Sequence, residues 1–75
     1  MAKTPRLTAR QVVAVLRRHG FLHVGTRGSH EKWRHPTGSK QVIVPAHRGR
    51  VLPIGTLRSI MKGSGIPDDD WCGSA

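Results

Sequence analysis

The sequence has one cysteine (Cys72), one phenylalanine, two tryptophans, no tyrosine and four acidic residues. Each shortage closes off a class of protein. A lone cysteine makes no internal disulfide, so a disulfide-stapled secreted mini-protein is excluded and a reducing cytoplasm suits the chain. No apolar run approaches the roughly 18 residues that mark a transmembrane helix, so nothing is expected to span a membrane. Met1–Pro5 has no apolar stretch behind its charge and does not read as a signal peptide. The few acids exclude chemistry as well. A two-metal nuclease gathers several carboxylates around its ions, and a glycosidase needs a separated carboxylate pair. Glu31 and the cluster Asp68, Asp69 and Asp70 supply neither. Of Phe21, Trp33 and Trp71, one is expected in the core. A sheet platform stacking several bases is therefore not expected, and shape and phosphate recognition would suit RNA better.

What remains is strongly basic. Thirteen Lys and Arg in 75 residues give a formal charge of +9. All thirteen lie within residues 1–67, where Glu31 is the lone acid. Such an excess speaks to partners rather than to fold, and nucleic acid, an anionic membrane or an acidic protein are the choices. The length allows one small domain over residues 1–75, with a compact core from about 7 to 66 and an acidic, irregular tail over 68–75.

Thr8 and Gln11 have the spacing of a helix capping box, and Leu7 with Val12 that of a hydrophobic staple. Ala9, Val12, Val13 and Leu16 share one helical face. Arg17, Arg18 and His19 suit the negative end of the helix dipole, and Gly20 is a stop, which predicts a helix over about 8–19. Strands are predicted over Phe21–Arg27, His30–His35 and Lys40–Val44, parted by Gly28-Ser29 and Pro36–Ser39. A basic loop over 46–52 precedes a second helix with Pro53 in its first position and a stripe of Ile54, Leu57, Ile60 and Met61. Gly63 and Gly65 end that helix, and the glycine-rich stretch is expected to fray it early. Short turns make the sheet antiparallel, and the two amphipathic helices bury their stripes on one of its faces. The expected fold is a two-layer α-β-β-β-α domain, like a double-stranded-RNA-binding domain, with Val12, Val13, Leu16, Trp33, Leu57 and Ile60 in the core.

If Trp33 faces the helices, period-2 alternation puts His30, Lys32 and Arg34 together on the open face. A histidine beside two cations could cleave RNA. Imidazole can take the proton of a ribose 2′-hydroxyl or give one to the leaving 5′-oxygen, and the cations can hold the phosphate and stabilise its developing charge. The same face also reads as a solvated cationic surface that contacts phosphate without cleaving it. His47, in the basic loop with Arg48 and Arg50, is the second histidine placed to meet substrate. His19 and His23 read as surface residues and His35 as structural. Gly28 and Ser29 shape the turn before His30. No acid is placed to orient a Ser29–His30 pair for nucleophilic attack. His30, His35 and His47 lack a cysteine partner or a zinc-finger spacing, so neither a metal nor another cofactor is expected.

The motifs Gly28-Ser29-His30, Trp33-Arg34-His35-Pro36, Val44-Pro45 with His47, and Gly55-Thr56-Leu57-Arg58-Ser59-Ile60 resemble the HicA toxin family over about Thr8–Ile66. The resemblance implies a type II toxin–antitoxin system and the double-stranded-RNA-binding-like fold. It implies a metal-independent mRNA interferase whose single catalytic histidine maps onto His30. It further implies an acidic, HicB-type antitoxin that covers the active face. On this reading Lys32, Arg34, His47, Arg48 and Arg50 hold RNA, and the free protein is a monomer or weak dimer. A non-catalytic, basic RNA-binding module of the same fold is the alternative.

Overall fold

A computed structural model describes residues 5–47 and 49–72. The elements are α1 (Ala9–Arg18), β1 (Leu22–Arg27), β2 (His30–Arg34), β3 (Gln41–Pro45), α2 (Ile54–Ser64) and α3 (Asp68–Cys72). The start of α1 follows from its cap. Thr8 Oγ1 accepts from the Gln11 N–H at 3.3 Å, and the Gln11 Oε1 accepts from the Thr8 N–H at 2.9 Å. Two otherwise unpaired amides are satisfied reciprocally. Leu7, at the staple position, is buried with Val12. His19 caps the other end, and Gly20 turns the chain away with φ at 86°.

The strands form one antiparallel sheet in the order β1-β2-β3. Gly28, with φ at 61°, takes the first position of the two-residue loop between β1 and β2, the pattern of a type II′ hairpin turn. Trp33, Val42 and Val44 point from the sheet into the core, where they join Leu16, Leu57 and Ile60. Both α1 and α2 pack on β3, giving the expected α-β-β-β-α layering. Gly63 does not fray α2. It sits inside the helix where a Cβ would come within 3.3 Å of Val42 Cγ1, so it lets the helix approach the sheet closely. Gly65, left-handed at φ 69°, caps the helix. The Ser64 hydroxyl secures this end by donating to the Met61 carbonyl at 2.8 Å and accepting from the Ile66 N–H at 3.1 Å.

Four details depart from the pattern-based reading. Pro53 stands at the N-cap of α2, one position before the helix. The buried side of α1 is Ala9, Val12, Val15 and Leu16, while Val13 is half-buried at its margin. Four valines and leucines crowded into five positions cover more than one helical face, and docking chooses among them. All three aromatics are buried, Trp71 completely. Finally, the segment expected to be irregular is helical from Asp68 to Cys72. Its three aspartates occupy the first turn, where the helix dipole favours negative charge. The helix packs against α1, and His19 Nε2 lies 3.3 Å from Asp70 Oδ2. No described helix is long and apolar enough to cross a membrane.

Candidate functional site

His30, Lys32 and Arg34 alternate with Glu31 and Trp33 along β2, and all three are exposed while Trp33 is buried. The three therefore share the sheet face turned away from the helices. Strand register adds a third cation. Arg27 is the partner of His30 across the β1–β2 hairpin, and Leu22 is the partner of Arg34. On the other side, Pro45, Ile43 and Gln41 of β3 oppose His30, Lys32 and Arg34.

The first hairpin is irregular in one place. Its register slips between His23 and Gly25, which makes Val24 an extra, unpaired residue and brings Gly25 opposite Lys32. The result is a shallow hollow on the open face, bounded by Val24, Gly25, Arg27, His30, Lys32 and Ile43. Among the described residues nothing hydrogen-bonds the His30 ring, so the ring is free to turn toward a ligand. The turn that carries it is held by the following loop, since the Ala46 N–H donates to the Ser29 carbonyl at 2.6 Å.

The arrangement is an imidazole among three cations on an exposed strand, inside an α-β-β-β-α domain. A model of the family described as the HicA toxin of bacterial toxin-antitoxin matches residues 9–66. This chain belongs to the HicA toxin family. It is the toxin of a toxin–antitoxin system, and membership implies an antitoxin partner. No curated protein gives a significant match.

The other histidines of this HicA toxin lie away from the hollow. His47 lines a separate cleft, where Arg10, Val13 and Arg17 of α1 face Glu31 and Trp33. There the Arg17 guanidinium lies 5.3 Å from the Trp33 ring centroid, and the Trp33 Nε1–H donates to Glu31 Oε1 at 3.2 Å. The lone acid of residues 1–67 is thus engaged by the core tryptophan. His35 packs edge-on against Phe21 at 5.2 Å, and its Nδ1 accepts from the Thr37 N–H at 3.2 Å, so it braces the β2–β3 turn. His23 Nε2 lies 2.7 Å from Thr26 Oγ1 and its ring 5.3 Å from that of Trp33. His19 faces α3. Among the described residues no three His, Cys, Asp or Glu side chains gather as metal ligands. Arg50 is exposed in the loop, and Arg48 falls outside the described residues.

Pattern reading alone passed over Arg27 and the hollow. Arg27 was within reach of the sequence: a two-residue Gly28-Ser29 turn places the residues on either side of it opposite each other. The bulge at Val24 carries a weaker signal, the glycine inside the strand at position 25, which does not say where the register slips.

Proposed function

We propose that this HicA toxin is a metal-independent endoribonuclease that cleaves messenger RNA, with His30 as its catalytic residue. The observation that carries the reading is the placement of His30 on the open sheet face, opposite Arg27 and on the same side as Lys32 and Arg34, in a chain of the toxin family. In the reaction the ribose 2′-oxygen attacks the adjacent phosphorus and the bond to the 5′-oxygen of the next nucleotide breaks. The products are a 2′,3′-cyclic phosphate and a 5′-hydroxyl. One proton leaves the 2′-hydroxyl and one is gained by the departing oxygen, and His30 moves a proton at one of these atoms. The additional negative charge on the phosphoryl oxygens is met by Arg27, Lys32 and Arg34. Arg50 and, by the reading of the sequence, Arg48 and His47 hold RNA through its phosphates away from the cleavage point.

The antitoxin is an acidic protein of the HicB type that covers the open face. A chain with a net charge of +9 draws an anionic protein rapidly, and a partner seated over His30 makes binding and inhibition one event. The deciding experiment incubates wild type and His30→Ala with RNA in the presence of EDTA. Cleavage by wild type alone supports the reading. Binding without cleavage by wild type would instead mark a basic RNA-binding module, and a strict demand for Mg²⁺ would contradict the proposed chemistry.

A further inference from the structure

We propose that the hollow beside His30 is a nucleobase subsite with aliphatic walls, which Gly25 keeps open for the nucleotide next to the scissile phosphate. The proposal rests on the ribonuclease reading and deepens it. Its starting point is a glycine beside the β1 bulge that neither backbone conformation nor packing requires. Gly25 lies inside β1, where glycine weakens a strand. The left-handed glycines are Gly20, Gly28, Gly49 and Gly65, so the backbone at position 25 does not demand one. Nor does packing demand it: a Cβ built on Gly25 meets nothing within 4 Å, unlike one on Gly63, which would crowd Val42. What a side chain at position 25 would occupy is the hollow itself.

The surroundings say what fits. Val24 and Ile43 are 52% and 43% exposed, a large apolar surface to leave on a strand face that no helix covers. Lys32 stands between Gly25 and Ile43 in the register, and Arg27 and His30 form the next pair along. The hollow thus has apolar walls, a cationic rim and an imidazole at one end. An inorganic anion would use the rim and waste the walls. An uncharged apolar ligand would use the walls and waste the rim. A nucleotide of single-stranded RNA uses both, with its base against Val24 and Ile43 and its phosphates toward Arg27, Lys32 and His30. Among the described residues no Phe, Trp or Tyr borders the hollow, so the base rests on branched aliphatic groups, and discrimination comes from the size of the base.

The test uses Gly25→Ala and Gly25→Val in the full chain, with a single-stranded RNA oligonucleotide whose cleavage site has been mapped. A second oligonucleotide lacks the base next to that site. Both variants should fold, with melting temperatures unchanged or raised, because the added atoms enter open space. Wild type should show a KM about tenfold or more higher for the abasic oligonucleotide, the scale of a steric change in an apolar pocket. Gly25→Val should handle both oligonucleotides equally poorly, and Gly25→Ala should fall between. A folded Gly25→Val that still distinguishes the two as wild type does overturns the subsite. So does a Gly25→Val that cleaves normally but no longer binds the antitoxin, since the hollow would then belong to the partner protein. If wild type cleaves neither, the ribonuclease reading fails. Binding of the same pair by fluorescence anisotropy then decides the subsite by the same comparison.

Discussion

Arg27 and His30 face each other across the first hairpin, joined by the two-residue turn Gly28-Ser29. Directly opposed residues on one face of an antiparallel pair hold their Cβ atoms about 4.5–5.5 Å apart. A guanidinium is thereby delivered beside the imidazole by backbone register alone. It can approach a phosphate that His30 also reaches.

His30→Ala is expected to lower RNA cleavage by about 10²–10⁴-fold, the usual weight of one general acid or base. The side chain is exposed on its strand, so the melting temperature should stay within about a degree or two of wild type, as for most surface changes. Single-turnover cleavage and thermal melting on the same preparation check both halves. Near-normal cleavage would remove His30 from the chemistry and turn attention to His47.

Arg27→Ala should weaken RNA binding about as much as Arg34→Ala and affect all sequences alike. Each should flatten the dependence of log affinity on log salt by roughly 0.7, one phosphate's share for a single strand. His30→Ala should leave that slope in place, because on this reading the ring moves a proton and the arginines and Lys32 hold the phosphates. Affinity measured over a salt series separates these roles. They merge if the His30 variant loses binding as severely as the arginine variants.

Trp71→Ala should destabilise the domain by about 3–5 kcal/mol, the range for emptying a large buried aromatic site. Trp71 is completely buried although it lies beyond the span that matches the toxin family. For a domain of this size such a loss takes most of the stability available. Urea unfolding is the check. A tail that could be truncated after Pro67 at no cost would show that α3 is not part of the fold in solution.

Val15→Ala and Val13→Ala give a sharper comparison on one helix. The first removes a side chain with no exposed surface and should cost roughly 1.5–3 kcal/mol. The second removes a half-buried one, which should cost well under that. Equal losses, read from denaturant midpoints, would mean that α1 docks through a different stripe.

Local chemistry was legible in the sequence because it acts over a few residues. The capping box of Thr8 and Gln11, the stop at Gly20, the three strands and their turns, and the shared face of His30, Lys32 and Arg34 all follow from spacings of two to four residues. The toxin family was legible for the same reason, since its motifs are short and contiguous. What needed the tertiary structure were choices between locally equivalent options. Val13 and Val15 are equally apolar, and only the docking of α1 decided which is buried. Asp68–Cys72 is too short to hold a helix by itself, and burial of Trp71 against the core is what stabilises it. The separation of His47 from His30 and the hollow over Gly25 come from how strands and loops meet in space. A histidine in a basic loop can face either side of the sheet, and a one-residue bulge shifts register without changing the composition of the strand that contains it.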